Sequence, residues 1–420
     1  EADHVVSHLW LLIAERYGAT GGLGPEDTQT IRRRLLRALV TWADTAALAA
    51  TLPPPMEQYY QLVEVFARYR ALRDEGFVAV SKKLRKAKPG KVHPDLPALR
   101  TRLAQEDPQG AGEGDLWDDA LTDALRRARV AYQLAPKRRA KHLIDKALLA
   151  ALAVPVTKRL ATIEINLERW RRSDLRHFPY AIFVNLPDYH GELRDGPEEL
   201  LRFKIVIGNT TKRRGFMINA TPVLTARVAT VVYNPYWNVP KRIYEQELRV
   251  KAEKYAAKQA EAAAAGGGGG EPAPDYWASR GYEVKGKGKG KKGGNVWVRR
   301  RPGPGNALGK VKFIFENRWF VFLHDTPQKG KFLHTRRAFS HGCMRVQNPL
   351  ELAETLLQRD GSWGEVEEAR VMEHYKQTII EVKDPVWVVV DYITTRVDEH
   401  GRVQFFADVY KKDAPKLAAK

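Results

Sequence analysis

Phe339-Ser340-His341-Gly342-Cys343-Met344-Arg345-Val346-Gln347-Asn348 holds the one cysteine of a 420-residue chain. The reactive form of Cys is the thiolate, and neighbouring positive charge favours it. In an extended segment residues two apart share a face, so His341, Cys343 and Arg345 are expected to project together. Gly342 leaves no side chain beside the sulfur, which lets a substrate carbonyl approach the backbone. The N–H groups of His341, Gly342 and Cys343 are then candidate donors to an oxyanion. Buried, inert Cys is common, but flanks of Ser, His, Gly and Arg do not build an apolar pocket.

A thiol nucleophile needs a base. Asn317-Arg318-Trp319-Phe320-Val321-Phe322-Leu323-His324-Asp325-Thr326-Pro327 reads as an aromatic, β-branched strand stopped by a Thr-Pro turn. His324 falls at its end, on the face of Phe320 and Phe322. That gives the imidazole an apolar wall and an open edge, an environment for titration near neutrality. A lone His there is more often structural; the Ser-His-Gly-Cys that follows makes it a candidate base. Asp325 could orient the ring, although adjacent strand residues point to opposite faces, and a backbone carbonyl would serve equally.

These residues resemble the signature of the L,D-transpeptidase catalytic domain, cell-wall enzymes with a cysteine nucleophile. Tyr233-Asn234-Pro235-Tyr236-Trp237-Asn238-Val239-Pro240, Pro302-Gly303-Pro304-Gly305-Asn306-Ala307-Leu308-Gly309 and Leu323-His324-Asp325-Thr326-Pro327 are similar to further stretches of the long periplasmic class. The likeness covers roughly residues 155 to 412. It implies an α+β multidomain chain: a mostly β catalytic domain with an inserted lid, preceded by an all-α scaffold. It also implies that Cys343 attacks a peptide-stem carbonyl, that His324 moves the proton, and that D-alanine leaves. His341 and Gly342 would complete the catalytic turn, with His341 the less central. Arg345 would hold a stem carboxylate by paired hydrogen bonds, with Ser340, Asn348, Tyr233, Trp237 and Asn238 around the donor and acceptor groove. The implied partners are donor and acceptor peptidoglycan stems, the location the periplasm or cell envelope, and the inhibitors carbapenems; no cofactor is implied. A lipoprotein or outer-membrane protein amine, a free D-amino acid or water could replace the acceptor stem. The reading of another class is a wall anchor that binds glycan without catalysis.

The composition fits an envelope protein. A net charge of +20 asks for an anionic partner or surface, and no helix-turn-helix, zinc-finger or RNP pattern points to nucleic acid. Stem carboxylates and anionic envelope polymers match that charge. No run approaches the ~20 apolar residues of a membrane span, and the chain opens at Glu1, as a processed export signal or a trimmed start would leave it. One Cys excludes an internal disulfide. His324, His334, His341 and Cys343 match no zinc spacing, the surroundings of Cys343 differ from the papain pattern, and no Gly-x-Ser-x-Gly elbow is present.

Outward from the signature, residues 1–90 read as a helical scaffold, with helical spacing at Ile31, Leu35, Leu36, Leu39 and Trp42 and from Tyr59 to Leu72. Residues 91–153 are similar to small helical peptidoglycan-binding modules (Asp95–Leu103, Leu116–Leu134, Ile144–Leu152), with Lys137-Arg138-Arg139-Ala140-Lys141 where such modules place a Gly-rich turn. The catalytic domain is expected over 154–412, opening with an amphipathic helix Val156–Arg172. Its strands are Tyr180–Asn185, Leu201–Gly208, Arg227–Tyr233 and a hairpin of Val386–Tyr392 with Val403–Tyr410. Pro349–Leu357 is a helix with Pro at its start, and 413–420 is a tail. Between 241 and 301 lies a helix, Gly266–Gly270, and a tract from Lys285 to Arg301 with eight basic residues and no acidic one. Such a tract is a solvated loop by composition, and the resemblance makes this insertion a mobile lid.

Overall fold

The computed structural model describes residues 57–264, 275–285, 296–361, 363, 365–414 and 417. The helices expected before residue 57, Gly266–Gly270 and the Gly/Lys repeat of 286–295 lie outside the described residues. Five helices come first: α1 (Glu57–Glu75), α2 (Leu96–Ala104), α3 (Asp119–Ala131), α4 (Lys146–Leu152) and α5 (Val156–Arg172). Asp118 and Asp145 start α3 and α4 by accepting the N–H of Leu121 and Leu148, each at 2.9 Å. The apolar stripes of α2, α3 and α4 share a core built on Leu99, Leu103, Trp117, Leu121, Leu125 and Leu148.

The strands follow: β1 (Tyr180–Asn185), β2 (His190–Asp195), β3 (Glu198–Gly208), β4 (Lys212–Arg213), β5 (Phe216–Met217), β6 (Leu224–Tyr233), β7 (Trp237–Asn238), β8 (Tyr282–Lys285) and β9 (Trp297–Arg300). After the lid come β10 (Val311–Phe315), β11 (Leu323–His324), β12 (Ala338–Ser340), β13 (Met344–Val346), β14 (Thr378–Asp391), β15 (Thr395–Val397) and β16 (Val403–Phe405). The main sheet runs β12-β3-β13-β11-β10-β6-β14-β1-β2, and β2 also pairs with β3, so the order closes on itself. Closure leaves few free edges and sorts side chains by parity. Ile182, Val184, Phe313, Leu323, Met344 and Val346 fill the inside, joined by Leu352 and Leu356 of α7 (Pro349–Arg359). Ala181, Phe183 and Val389 face out, onto Leu62 and Tyr69 of α1 and Ile163, Leu167 and Trp170 of α5.

Two expected strands differ. Val386–Asp391 belongs to β14, which continues the sheet between β6 and β1, and the C-terminal hairpin is instead β15–β16. The aromatic strand from Asn317 shrinks to Leu323–His324. The Asn317 side chain bonds the carbonyls of Phe315 and Val321 and the N–H of Trp319 and Val321, and Phe320 takes φ +54°. An Asn that satisfies four backbone groups of its neighbours makes a turn better than a strand.

The lid spans β7 to β9. Its helix α6 runs through Lys241–Ile243, a π-helical turn Tyr244–Leu248 and Arg249–Ala264. Its three strands pair in the order β7-β9-β8, around Leu248, Tyr282 and Val298. The basic tract is thus ordered at both ends: Glu283 pairs with Arg299 (2.6 Å) and Arg301 (2.8 Å), and Val298 buries between them. Among the described residues no helix is long and apolar enough to cross a membrane.

One buried polar node ties α1, the α2–α4 module and α5 together. Glu106 accepts from Tyr69 (2.7 Å) and Tyr132, pairs with Arg102 at 2.6 Å, and has Arg159 at 3.6 Å. Burial alone would raise its pKa, but the Arg102 and Arg159 charges outweigh that and hold it below the usual carboxylate value. A depressed carboxylate stabilises the fold above its ordinary titration range and loses that contribution as the pH falls through it. Glu106→Gln leaves two guanidinium groups without their counter-charge. It should lower unfolding free energy by about 3 kcal/mol at pH 7, read as a shifted urea midpoint. Arg126→Ala, which breaks an exposed 3.0 Å pair with Asp123, should cost less than about 0.5 kcal/mol.

Candidate active site

β11 lies parallel to β13 and antiparallel to β10, with His324 opposite Arg345 on one side and Lys312 on the other. Leu323, Met344 and Val346 point into the barrel, so alternation turns Lys312, His324, Cys343 and Arg345 outward. These four line one cleft of about 600 Å³, with the lid's Trp237, Asn238, Arg242 and Glu247 and the rim residues Trp319 and Phe320.

The turn that carries Cys343 is held from beneath. Thr221 Oγ1 donates to the Gly342 carbonyl (2.7 Å) and accepts the Gly208 N–H (2.9 Å), while the Tyr410 hydroxyl donates to the Gly208 carbonyl (2.7 Å). A Cβ at Gly208 would overlap the Asn219 carbonyl. Gly342 sits at φ +131°, and a Cβ there would meet only ordinary contacts, so backbone conformation and not space demands glycine. Ser340 closes the turn: its hydroxyl donates to the Cys343 carbonyl (2.6 Å) and accepts the Gly342 N–H (3.1 Å).

The His324 Nδ1–H donates to the Asp325 carbonyl at 2.5 Å, which fixes the tautomer and leaves Nε2 as the acceptor. The Asp325 carboxylate is engaged elsewhere, by the Lys310 N–H (2.8 Å) and Lys329 Nζ (2.6 Å). Of the two ways to orient the ring, the backbone carbonyl is the one present. Burial, and then the charges of Arg345 and Lys312, push His324 down to about 3. Burial also pushes the Cys343 thiol up to about 11, against N–H groups of Phe322 and Cys343 and the Arg345 charge. Where the sequence suggests a thiolate beside a near-neutral imidazole, both groups are shifted toward their uncharged forms, because desolvation outweighs the neighbouring charge.

Other expected residues separate. Tyr233 is fully buried in the barrel core, its ring stacked on Trp363 at 5.1 Å, and does not reach the cleft. Asn348 heads α7 and lines a second cavity, of about 820 Å³, beyond Thr326 and Pro327. Ser340 and the Gly342 N–H are occupied with each other, so neither is free for substrate. His334 packs edge-on against Phe339 at 5.3 Å, and among the described residues no three His, Cys, Asp or Glu side chains are placed to hold a metal ion. Sequence reasoning missed Lys312, whose alternation with inward Val311 and Phe313 was legible, and Thr221, Tyr410 and Glu247, which only folding brings here.

Residues 179–388 match the family model of the L,D-transpeptidase catalytic domain. The chain belongs to the L,D-transpeptidase family. It is 30% identical over 263 residues to a curated Haemophilus influenzae protein whose name places it among the L,D-transpeptidases; the match covers 61% of this chain and 48% of that protein. The chain thus spans about half the length of that relative. Among solved structures it is similar to an L,D-transpeptidase from Xylanimonas cellulosilytica DSM 15894, at 13% identity, 72% of this chain, 96% of that one and a TM-score of 0.22. A carbamoyl enzyme formed with avibactam matches at 12% identity, 50% of this chain, 48% of that one and a TM-score of 0.23.

The shifts at this candidate site have a measurable sign. A thiol held protonated to about 11 alkylates slowly at pH 7, and its rate with iodoacetamide should climb through pH 9 to 11. A plateau below pH 8 would mean a preformed ion pair. Gly342→Ala, strained by about 1–3 kcal/mol at this φ, should lower the melting temperature by a few degrees and slow alkylation.

Proposed function

We propose that this L,D-transpeptidase acylates Cys343 with a donor peptide stem and transfers the acyl group to the amine of a second stem, cross-linking peptidoglycan. The observation that carries this reading is that Cys343, just before β13, and His324, on the parallel neighbour β11, line one cleft, with Nδ1 tied down and Nε2 left to accept. In the first step the Cys343 Sγ–H proton passes to His324 Nε2 as sulfur bonds the carbonyl carbon that precedes a terminal D-amino acid. Collapse breaks the C–N bond, the leaving amine takes the proton from His324, and a thioester remains. The acceptor amine then attacks, gives a proton to His324, and the thiol is restored by that proton.

A neutral pair suits this sequence. The proton moves only when the carbonyl arrives, and His324 never has to hold a charge in the empty cleft. Lys312 and Arg345 flank the ring, so the imidazolium formed in transit is destabilised and returns its proton readily. With the Gly342 N–H engaged, the N–H groups of His341 and Cys343 are the remaining oxyanion donors of the turn. Arg345 donates from Nη1 to the Gln328 amide oxygen (2.9 Å), and its buried Nε finds no partner among the described residues, which suits an incoming stem carboxylate. Trp237, Asn238, Trp319 and Phe320 offer the walls along which a stem and its sugar can lie. The substrate's location makes the envelope the place of action, with stem carboxylates meeting the basic surface.

Incubation of the full chain with purified disaccharide-tetrapeptide, followed by mass spectrometry, tests the reading. Cross-linked dimer and free D-amino acid are expected, with an acyl adduct on Cys343 and none on Cys343→Ala. His324→Ala should slow acyl-enzyme formation by about 10²-fold or more. His341→Ala should cost less, because its ring is directed at the lid. A persistent adduct on Cys343→Ala would overturn the nucleophile, and cross-linking at the wild-type rate by His324→Ala would overturn the base.

A further inference from the structure

We propose that Glu247, on the lid, is a gate: its carboxylate occupies the anion corner of the cleft between turnovers and yields that corner to a carboxylate of the substrate. The inference rests on the transpeptidase reading for the identity of that substrate. Among the described residues that line the cleft, Arg242, Lys251, Arg300, Lys312 and Arg345 are cationic, and Glu247 is the one carboxylate. It does not sit at the rim with a lid cation. Its Oε1 lies 2.7 Å from His341 Nε2, two residues from Cys343, and its charge also acts on Arg345.

The surroundings are those of a displaceable contact. Glu247 is about one-third exposed, and His341 likewise (38% and 35%), so the pair gains little and opens at low cost. Arg345 does not complete its bonding with Glu247: Nη1 is held by the neutral Gln328 amide, and Nε is buried without a partner among the described residues. A planar carboxylate entering the cleft can use Arg345 in full and His341 as well, and so competes with Glu247 for the same donors. The lid carries its own small core on Leu248, Tyr282 and Val298, so it can shift as a body. Besides Glu247, Arg242 seats it, by a 2.5 Å bond to the Asn219 side chain beside the Cys343 turn. Glu247 lies within the π-helical turn Tyr244–Leu248, and single π turns inside α-helices occur often at functional positions.

The chemical content of the gate is charge selection. A like charge within a few ångströms of the anion corner slows entry of anions and leaves neutral molecules unaffected. Iodoacetate and iodoacetamide are near-isosteres that alkylate the same sulfur, one anionic and one neutral, and the ratio of their rate constants cancels any change in thiolate fraction. The full chain would be alkylated at pH 9 with each reagent, as wild type, Glu247→Gln and Arg345→Gln. The iodoacetate-to-iodoacetamide ratio should rise at least threefold in Glu247→Gln and fall at least threefold in Arg345→Gln. A ratio unchanged in Glu247→Gln, or an equal acceleration of both reagents there, would overturn the gate, the second result showing a lid that merely opens. Alkylation needs no turnover. A chain inactive on muropeptides that still shows the shifted ratio retains the gate and loses the transpeptidase reading, while an active chain with no shift loses the gate alone.

Discussion

Two backbone pairings, Leu323 with Met344 and His324 with Arg345, decide what this barrel can do. β11 is only two residues long, and its parallel partner is three. Because Leu323 and Met344 face the packed interior, their neighbours have no choice but to face out. A slip of β11 by one residue would turn His324 into the hydrocarbon and Leu323 out. The apolar core therefore sets the chemistry of the cleft: burying Leu323, Met344 and Val346 places imidazole, thiol and guanidinium together on the far side.

The same packing covers His324 and much of Cys343. His324 and Cys343 are shifted in the directions that keep both uncharged, and in each case burial is the largest cause. Charges that would stabilise a thiolate are nearby, but Arg345 and Lys312 act on the imidazole as well and oppose its protonation. A preformed thiolate–imidazolium pair would have to offset the desolvation of both groups. A neutral pair whose proton moves only with the substrate in place avoids that cost.

Support for the turn comes from distant parts of the chain. Thr221 precedes β6, Gly208 ends β3, and Tyr410 lies beyond β16, yet they join in hydrogen bonds under Gly342. The C-terminal segment thereby holds the nucleophile's backbone. The lid rests on this arrangement from above, through Asn219 and His341. Positioning the sulfur thus draws on the sheet, the segment after β16 and the insertion together.

The sequence by itself determined the family, the strands β1, β3 and β6 to within a few residues, and the helices α1 to α5, and it singled out Cys343 and His324, which line one cleft. Each rests on local information: period-two or helical spacing of apolar residues, or a motif around a lone Cys. Only the tertiary structure decided which of the polar residues share the cleft. The family resemblance puts Tyr233 at the groove, but the parity of β6 turns it into the core. Ser340 and the Gly342 N–H read as free, and the turn geometry spends them on each other. Asn317 through Phe320 reads as strand, and one Asn side chain folds it into a turn. The protonation states were hidden for a general reason: charge can be counted along a chain, whereas desolvation depends on what covers a group, and here the lid and the sheet supply the cover.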